Sequence, residues 1–297
     1  MQSSEKTSDA PPGERCPPPG RVDTDGQKER NMTQKQKKER AAAVVAALKE
    51  IYPDAVCALH WGGDPWRLLV MGRLSAQCTD KRVNEVSQEL FAAYPTAEAM
   101  ANADIADLER LVRPCGLFRV KARDIKEASR QIVCDYGGVL PPEMDSLLSL
   151  AGVGRKIAHL LRGDVFGLPA VVTDTHCIRI CGRMGFYPEK EKTPYKIERI
   201  MEGLLPAEES SDFCHRIVQF GRDVCTARSP RCDECPVGAK GLCENRNRAL
   251  ARGGAHGEGE KGGTTSAGAG KAGGKTGGAP VGNNGKTDGK TEGKKTP

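Results

Sequence analysis

The sequence predicts an all-α protein, and three observations carry that expectation. Apolar residues recur at helical spacing in one segment after another between residues 39 and 250. No stretch there alternates apolar and polar residues as a half-buried strand would. Ala170 to Val172 is apolar, but it is short and hemmed in by Pro169. Short links, several holding Gly or Pro, separate the periodic segments, which is the punctuation of packed helices.

In chain order, residues 39–51 set Val44, Val45, Leu48 and Ile51 on one face of a short helix. The chain then loops through Gly62-Gly63-Asp64-Pro65, and Pro65 fits the first turn of the next helix. That helix, WRLLVMGRLSAQ at 66–77, is apolar on most sides and predicts a central core element. Another helix begins at Lys81, and segments 82–93, 96–101, 104–113 and 119–134 keep helical spacing. Residues 143–150 form the first arm of a helical hairpin, whose second arm follows Gly152-Val153-Gly154 and stops at Gly167-Leu168-Pro169. A further helix starts at Asp174. Cys177, Cys181 and Cys214 sit in helical patterns and read as small buried apolar residues.

Residues 1–38 and 249–297 hold no apolar periodicity and read as disordered tails, the second rich in Gly and Lys. The first is neither a signal nor a transit peptide, and no run is apolar enough to span a membrane. The net charge is +6, but the stretch past Ala251 carries +4 of it and residues 1–38 about +2. The body is near neutral, so bulk basicity is no argument for a nucleic-acid partner. Twelve cysteines, most of them singly placed, fit a reducing cytoplasm better than a disulfide scaffold.

The chemistry gathers between Leu150 and His176. Gly152 and Gly154 have no side chains, so their backbone can approach a ligand closely. Their N–H groups and those of the following helix start suit a phosphate oxygen. Lys156 lies in the first turn, where the positive end of the helix dipole disfavours its charged form. An uncharged lysine amine is a nucleophile, and Asp174 is the candidate carboxylate beside it. Each piece also has a plain structural reading. Gly-x-Gly is commonly a simple turn, Lys156 a solvated lysine, and Asp174 an N-cap.

Past Cys214 comes Cys225-x6-Cys232-x2-Cys235-x7-Cys243, four potential thiolate ligands within nineteen residues. Structural zinc normally takes two short cysteine pairs, and only one short pair is present. The spacing therefore favours a [4Fe–4S] cluster over zinc. With no open coordination position, such a cluster is assigned a structural role.

The string LSAQ-x-TD at 74–80, GVGRK-x-A at 152–158 and T-D-T-H at 173–176 resemble, in order, the motifs of the endonuclease III family. The resemblance spans about residues 40–245 and departs from the family pattern at three places. Ala151 and Thr173 stand where Pro and Val are usual, and the last cysteine spacing is seven rather than five. It implies a bifunctional DNA glycosylase that removes oxidised pyrimidines from duplex DNA and nicks the abasic site. Lys156 would then be the nucleophile and Asp174 its partner. Gln77 would fill the gap left by a flipped base, and Leu117, in Arg113-Pro114-Cys115-Gly116-Leu117-Phe118, would wedge into the base stack. Gly152, Gly154 and Arg155 would meet DNA at the hairpin, and Arg228 and Arg231 would meet backbone further along. Cys225, Cys232, Cys235 and Cys243 would hold the cluster.

Two lobes are expected, 60–168 with the hairpin and 39–59 plus 169–248 with the cluster, with DNA in the cleft between them. A cytoplasmic monomer with no membrane partner is expected. The rival readings are an adenine-type glycosylase, which Lys156 argues against, and a non-catalytic iron–sulfur DNA-binding protein.

Overall fold

The computed structural model describes residues 32–254, and all regular structure among them is helical, thirteen α-helices and two 3-10 turns. Residues 1–31 and 255–297, most of the two expected tails, lie outside the described residues.

Both tail boundaries move. Helix α1 (Gln34–Ile51) takes in the last five residues of the expected N-terminal tail. Its cap explains the extension: Thr33 Oγ1 accepts from the Gln36 N–H, and the Gln36 side chain accepts the Thr33 N–H. At the other end α13 (Glu244–Gly254) runs six residues past 248.

Helix α2 (Pro65–Leu74) is the hub of a first apolar cluster. Asp64 caps it by accepting from the Trp66 and Arg67 N–H groups. Trp66, Leu68, Leu69, Val70, Met71 and Leu74 are all buried, so helices cover it on nearly every side. Helices α3 (Asp80–Ala93), α6 (Phe118–Tyr136) and α8 (Arg155–Asp164) pack on it, and α4 (Ala97–Ala101), α5 (Ile105–Val112) and α7 (Met144–Ser149) complete the cluster. Gly72 lets α2 and α8 touch, since a β-carbon there would lie 3.3 Å from Ile157 Cγ2. The helix ends at Leu74, three residues short of the predicted Gln77. Its terminal carbonyls are taken by a side chain from α6, not by another helical turn.

A second apolar cluster joins α1 to α9 (Thr175–Arg183), α10 (Pro194–Glu202), α11 (Ser210–Asp223) and α12 (Pro236–Ala239). Leu48, Ile180, Phe186, Met201, Phe213 and Phe220 lie at its centre. Cys177, Cys181 and Cys214 are buried in it. Polar contacts tie α8 into this group, among them His215 Nε2 on α11 to Asp164 Oδ1 at 2.6 Å. No described helix is long and apolar enough to cross a membrane.

Candidate active site and nucleic-acid interface

The hairpin between α7 and α8 is built as its glycines dictate. Gly152 has φ of +73°, and a β-carbon on it would lie 2.6 Å from Arg73 Nε and 2.7 Å from Asp124 Cβ. Both the backbone and the space demand glycine. Gly154 has open space where a side chain would stand. Among the described residues no acceptor meets the N–H groups of Gly152, Gly154, Arg155, Lys156 or Ile157. Five free donors at a helix start make an anion cradle.

Lys156 is exposed on the first turn of α8. Arg155 points elsewhere. Its Nε lies 3.0 Å from both oxygens of Glu198, Nη2 bonds the same carboxylate, and the guanidinium stands over the Tyr195 ring. The side chain expected to contact DNA is thus tied inward, because Glu198, 1% exposed, requires a cation. Burial alone would raise the Glu198 carboxyl, but Arg155 and His159 hold it below its ordinary range. The backbone N–H of Arg155 remains free for a phosphate.

Asp174 is the N-cap of α9. One oxygen accepts the Cys177 N–H at 2.8 Å, and the other lies 3.0 Å from His176 Nδ1. The plain capping role is therefore filled by one oxygen, and the other is left to His176. Burial pushes this carboxyl upward, but the hydrogen bonds from His176 and Cys177 and the charges of His176 and Lys156 outweigh it. Its pKa is lowered, so Asp174 stays ionised. The loop leading to it is pinned at three successive N–H groups, Ala170 to Ser210 Oγ, Val171 to His159 Nδ1 and Val172 to Cys214 Sγ. His159 stands three residues after Lys156 on α8, so it fixes the Asp174 loop to the lysine's own helix.

Sequence reasoning missed His159, Glu198 and Ser210, whose partners lie 12 to 43 residues away. His176 stood in the T-D-T-H string but received no role.

Gln77 and Leu117 share a property. They are the only non-glycine residues with positive φ among the described residues, at 54° and 49°. That conformation costs a residue with a side chain roughly 1 kcal/mol or more. Both are exposed, Leu117 by 57%, so neither belongs to the core. Helix α6 connects these features. Leu117 is its N-cap, Asp124 pairs with Arg73 beside the hairpin glycine, and Gln131 Oε1 accepts the Ala151 N–H at 2.8 Å.

The four cysteines line one pocket together with Ile180, Arg183, Met184 and Phe220. Cys225 follows α11, Cys235 caps α12 with its sulfur accepting the Gly238 N–H, and Cys243 precedes α13. The long last spacing is taken up by the α12 turn and by Gly241, whose φ is +70°. Gly238 has no room for a β-carbon, which would lie 2.4 Å from Arg246 Cδ. Arg183 donates to Cys225 Sγ at 3.4 Å. The described ligand atoms that crowd within 4.8 Å of one another belong to His159, Glu198 and Glu202, not to these sulfurs. Four thiols around a shared cavity fit the corners of a multi-iron cluster better than a single zinc ion. Arg228 is exposed with no partner among the described residues, whereas Arg231 bonds the Asp223 carbonyl and faces Glu234.

Comparison with known proteins agrees with this geometry. Residues 70–207 match the model of the HhH-GPD superfamily base excision DNA repair protein, and residues 225–238 match the iron–sulfur binding domain of endonuclease III. Endonuclease III of Synechocystis is 44% identical over 202 residues, covering 68% of this chain and 91% of that protein. The Bacillus subtilis enzyme is 39% identical, covering 63% and 85%, and that of Escherichia coli K12 is 32% identical, covering 71% and 98%. A solved non-covalent endonuclease III–DNA complex superposes with a TM-score of 0.67 at 35% identity, covering 72% of this chain and 98% of that one. The chain therefore belongs to the endonuclease III family, as a base-excision DNA repair glycosylase and lyase that binds DNA and carries a [4Fe–4S] cluster.

Proposed function

We propose that this enzyme excises oxidised pyrimidines from duplex DNA and cuts the abasic strand through a Schiff base on Lys156. The observation that carries this reading is the Asp174 carboxylate, kept ionised by partners that include Lys156, at the end of a loop fixed to the lysine's own helix. The flipped nucleotide enters the cleft between two lobes, 60–168 and 39–59 plus 169–248. The Lys156 amine attacks C1′, the glycosidic bond breaks and the base departs with a proton. Opening of the sugar ring gives the imine. Loss of a C2′ proton then expels the 3′ phosphate, so the strand is cut 3′ to the lesion. An anionic Asp174 with both oxygens engaged is a weak base, and its main effect is to offset positive charge growing on the sugar.

The N–H groups of Gly152, Gly154, Arg155, Lys156 and Ile157 would hold a phosphate, and Arg228 would reach a second stretch of backbone. Gln77 and Leu117 would enter the duplex, where opening the stack costs about a few kcal/mol. The protein would act as a monomer in the cytoplasm. The test compares duplexes carrying thymine glycol, adenine opposite 8-oxoguanine, and a preformed abasic site. We expect excision of thymine glycol and nicking of the abasic site. Gln77→Ala and Leu117→Ala should weaken the first about tenfold more than the second, because the second begins with the base already gone. Excision of adenine without thymine glycol activity would assign the chain to the adenine-specific branch.

Cluster removal has its own expected signature. The holoprotein should be brown with about four irons per chain. Cys235→Ser should lose iron and melt the region around Val237, which is fully buried next to it. Iron content and hydrogen exchange measure this, and a colourless, folded protein with one zinc per chain would refute it.

A further inference from the structure

Lys121 is the largest fully buried side chain in the described protein and has no part in the chemistry proposed above. Its three ammonium protons meet three backbone carbonyls, those of Leu74, Ala76 and Cys115, each at 2.8 Å. Donors and acceptors match in number, so a buried charge is fully solvated by the chain itself. The acceptors come from two loops 45 and 6 residues away in sequence. Leu74 ends α2, where free carbonyls and the negative end of the helix dipole favour a cation. Ala76 immediately precedes Gln77, and Cys115 stands two residues before Leu117. The two described non-glycine residues with positive φ are thus the two that flank the carbonyls held by Lys121. Strained backbone of this kind persists where its surroundings over-determine it, and one ammonium joins both turns here.

We infer that Lys121 is a positioning residue that clamps the Gln77 and Leu117 loops in register, so that the gap-filling residue and the wedge enter the duplex together. The inference rests on the reading of those two residues as the inserted ones. Lys121 touches no DNA and acts through them. Gln77 stands in the turn between α2 and α3 and Leu117 at the start of α6, and the Lys121 ammonium bonds carbonyls beside both.

The test uses the full-length holoenzyme with Lys121→Met, which keeps the length and removes the donors, and Lys121→Gln, which keeps two donors on a shorter side chain. Single-turnover rates are measured on a thymine glycol duplex and on a preformed abasic site, with iron content and melting temperature recorded for each variant. Lys121→Met should lower the ratio of the two rates about tenfold to a hundredfold, since small misplacements of a positioned group have effects of that size. Lys121→Gln should fall between it and the parent. In a Gln77→Ala/Leu117→Ala background, adding Lys121→Met should leave the ratio unchanged, because the clamped side chains are already gone. An equal loss on both substrates, or a further fall of the ratio in that background, would overturn the inference. If Gln77→Ala and Leu117→Ala lower the ratio while Lys121→Met does not, the clamp alone is wrong. If those two variants leave the ratio unchanged, the insertion reading fails and the inference falls with it. Failure of both Lys121 variants to fold with their iron would make the residue a support of the fold alone and overturn its role in register.

Discussion

Lys156→Gln should abolish covalent trapping of the enzyme on DNA by borohydride. The parent protein, reduced during reaction with an abasic or thymine glycol duplex, is expected to yield a stable protein–DNA adduct. Glutamine at 156 keeps a polar side chain on the exposed first turn of α8 but has no amine to form an imine. Strand cutting should fall with the trapping, on the order of ten-thousand-fold or more, as removal of a covalent nucleophile does. Affinity for an abasic duplex should change little. The free N–H groups of Gly152, Gly154 and Ile157 are backbone and stay where they are, and one positive charge is lost. The fold should be untouched, because Lys156 has no hydrogen bond or ion pair among the described residues. A Lys156→Gln protein that still nicks and is still trapped would assign the nucleophile to another amine.

The proposed reacting pair could be read from the sequence because its signals are local. A Gly-x-Gly turn, a lysine two residues past it and an aspartate at a helix start lie within one short stretch. The start of α1 was missed, although Thr33-x-x-Gln36 is a capping pair, because the polar composition around it hid the signal. What holds the pair in place was not legible. Arg155 looks like a DNA contact until Glu198, 43 residues on, is found buried beside it. The end of α2 looks like Gln77 until Lys121 takes its carbonyls from 47 residues away. Local propensity carries no trace of either partner. One weak signal existed for Lys121, which falls with Ile125, Ala128 and Ile132 on the apolar face of α6, a place where a lysine demands an explanation. The positive φ at Gln77 and Leu117 was likewise hidden, because neither residue type favours it.

Asp174→Asn should separate the two halves of the reaction. Asparagine caps helices about as well as aspartate, so its side-chain oxygen should still accept the Cys177 N–H and α9 should form as before. The substitution removes charge with little change of shape. In the parent the Asp174 pKa is lowered by its partners, which fixes the sign of its effect on stability. Its contribution is fully present above the ordinary carboxylate range and is lost as pH falls through the depressed value, so at neutral pH the variant lacks that contribution. For the same reason Asp174 should not set the acid limb of the parent's pH–rate profile at mildly acidic pH. Excision of thymine glycol should fall about a hundredfold to a thousandfold, the usual effect of removing one preorganised electrostatic group from a transition state. Positive charge grows on the sugar as the base leaves, and a neutral amide cannot offset it. A preformed abasic site has already passed that step and retains Lys156 as nucleophile. There the variant should still be trapped by borohydride, more slowly than the parent by about tenfold. Single-turnover excision and trapping rates on the two substrates measure the split. Parental excision by Asp174→Asn would show that the residue caps α9 and nothing more. An equal fall on both substrates would mean that Asp174 serves to activate or place Lys156 and that its charge does not act on the departing base.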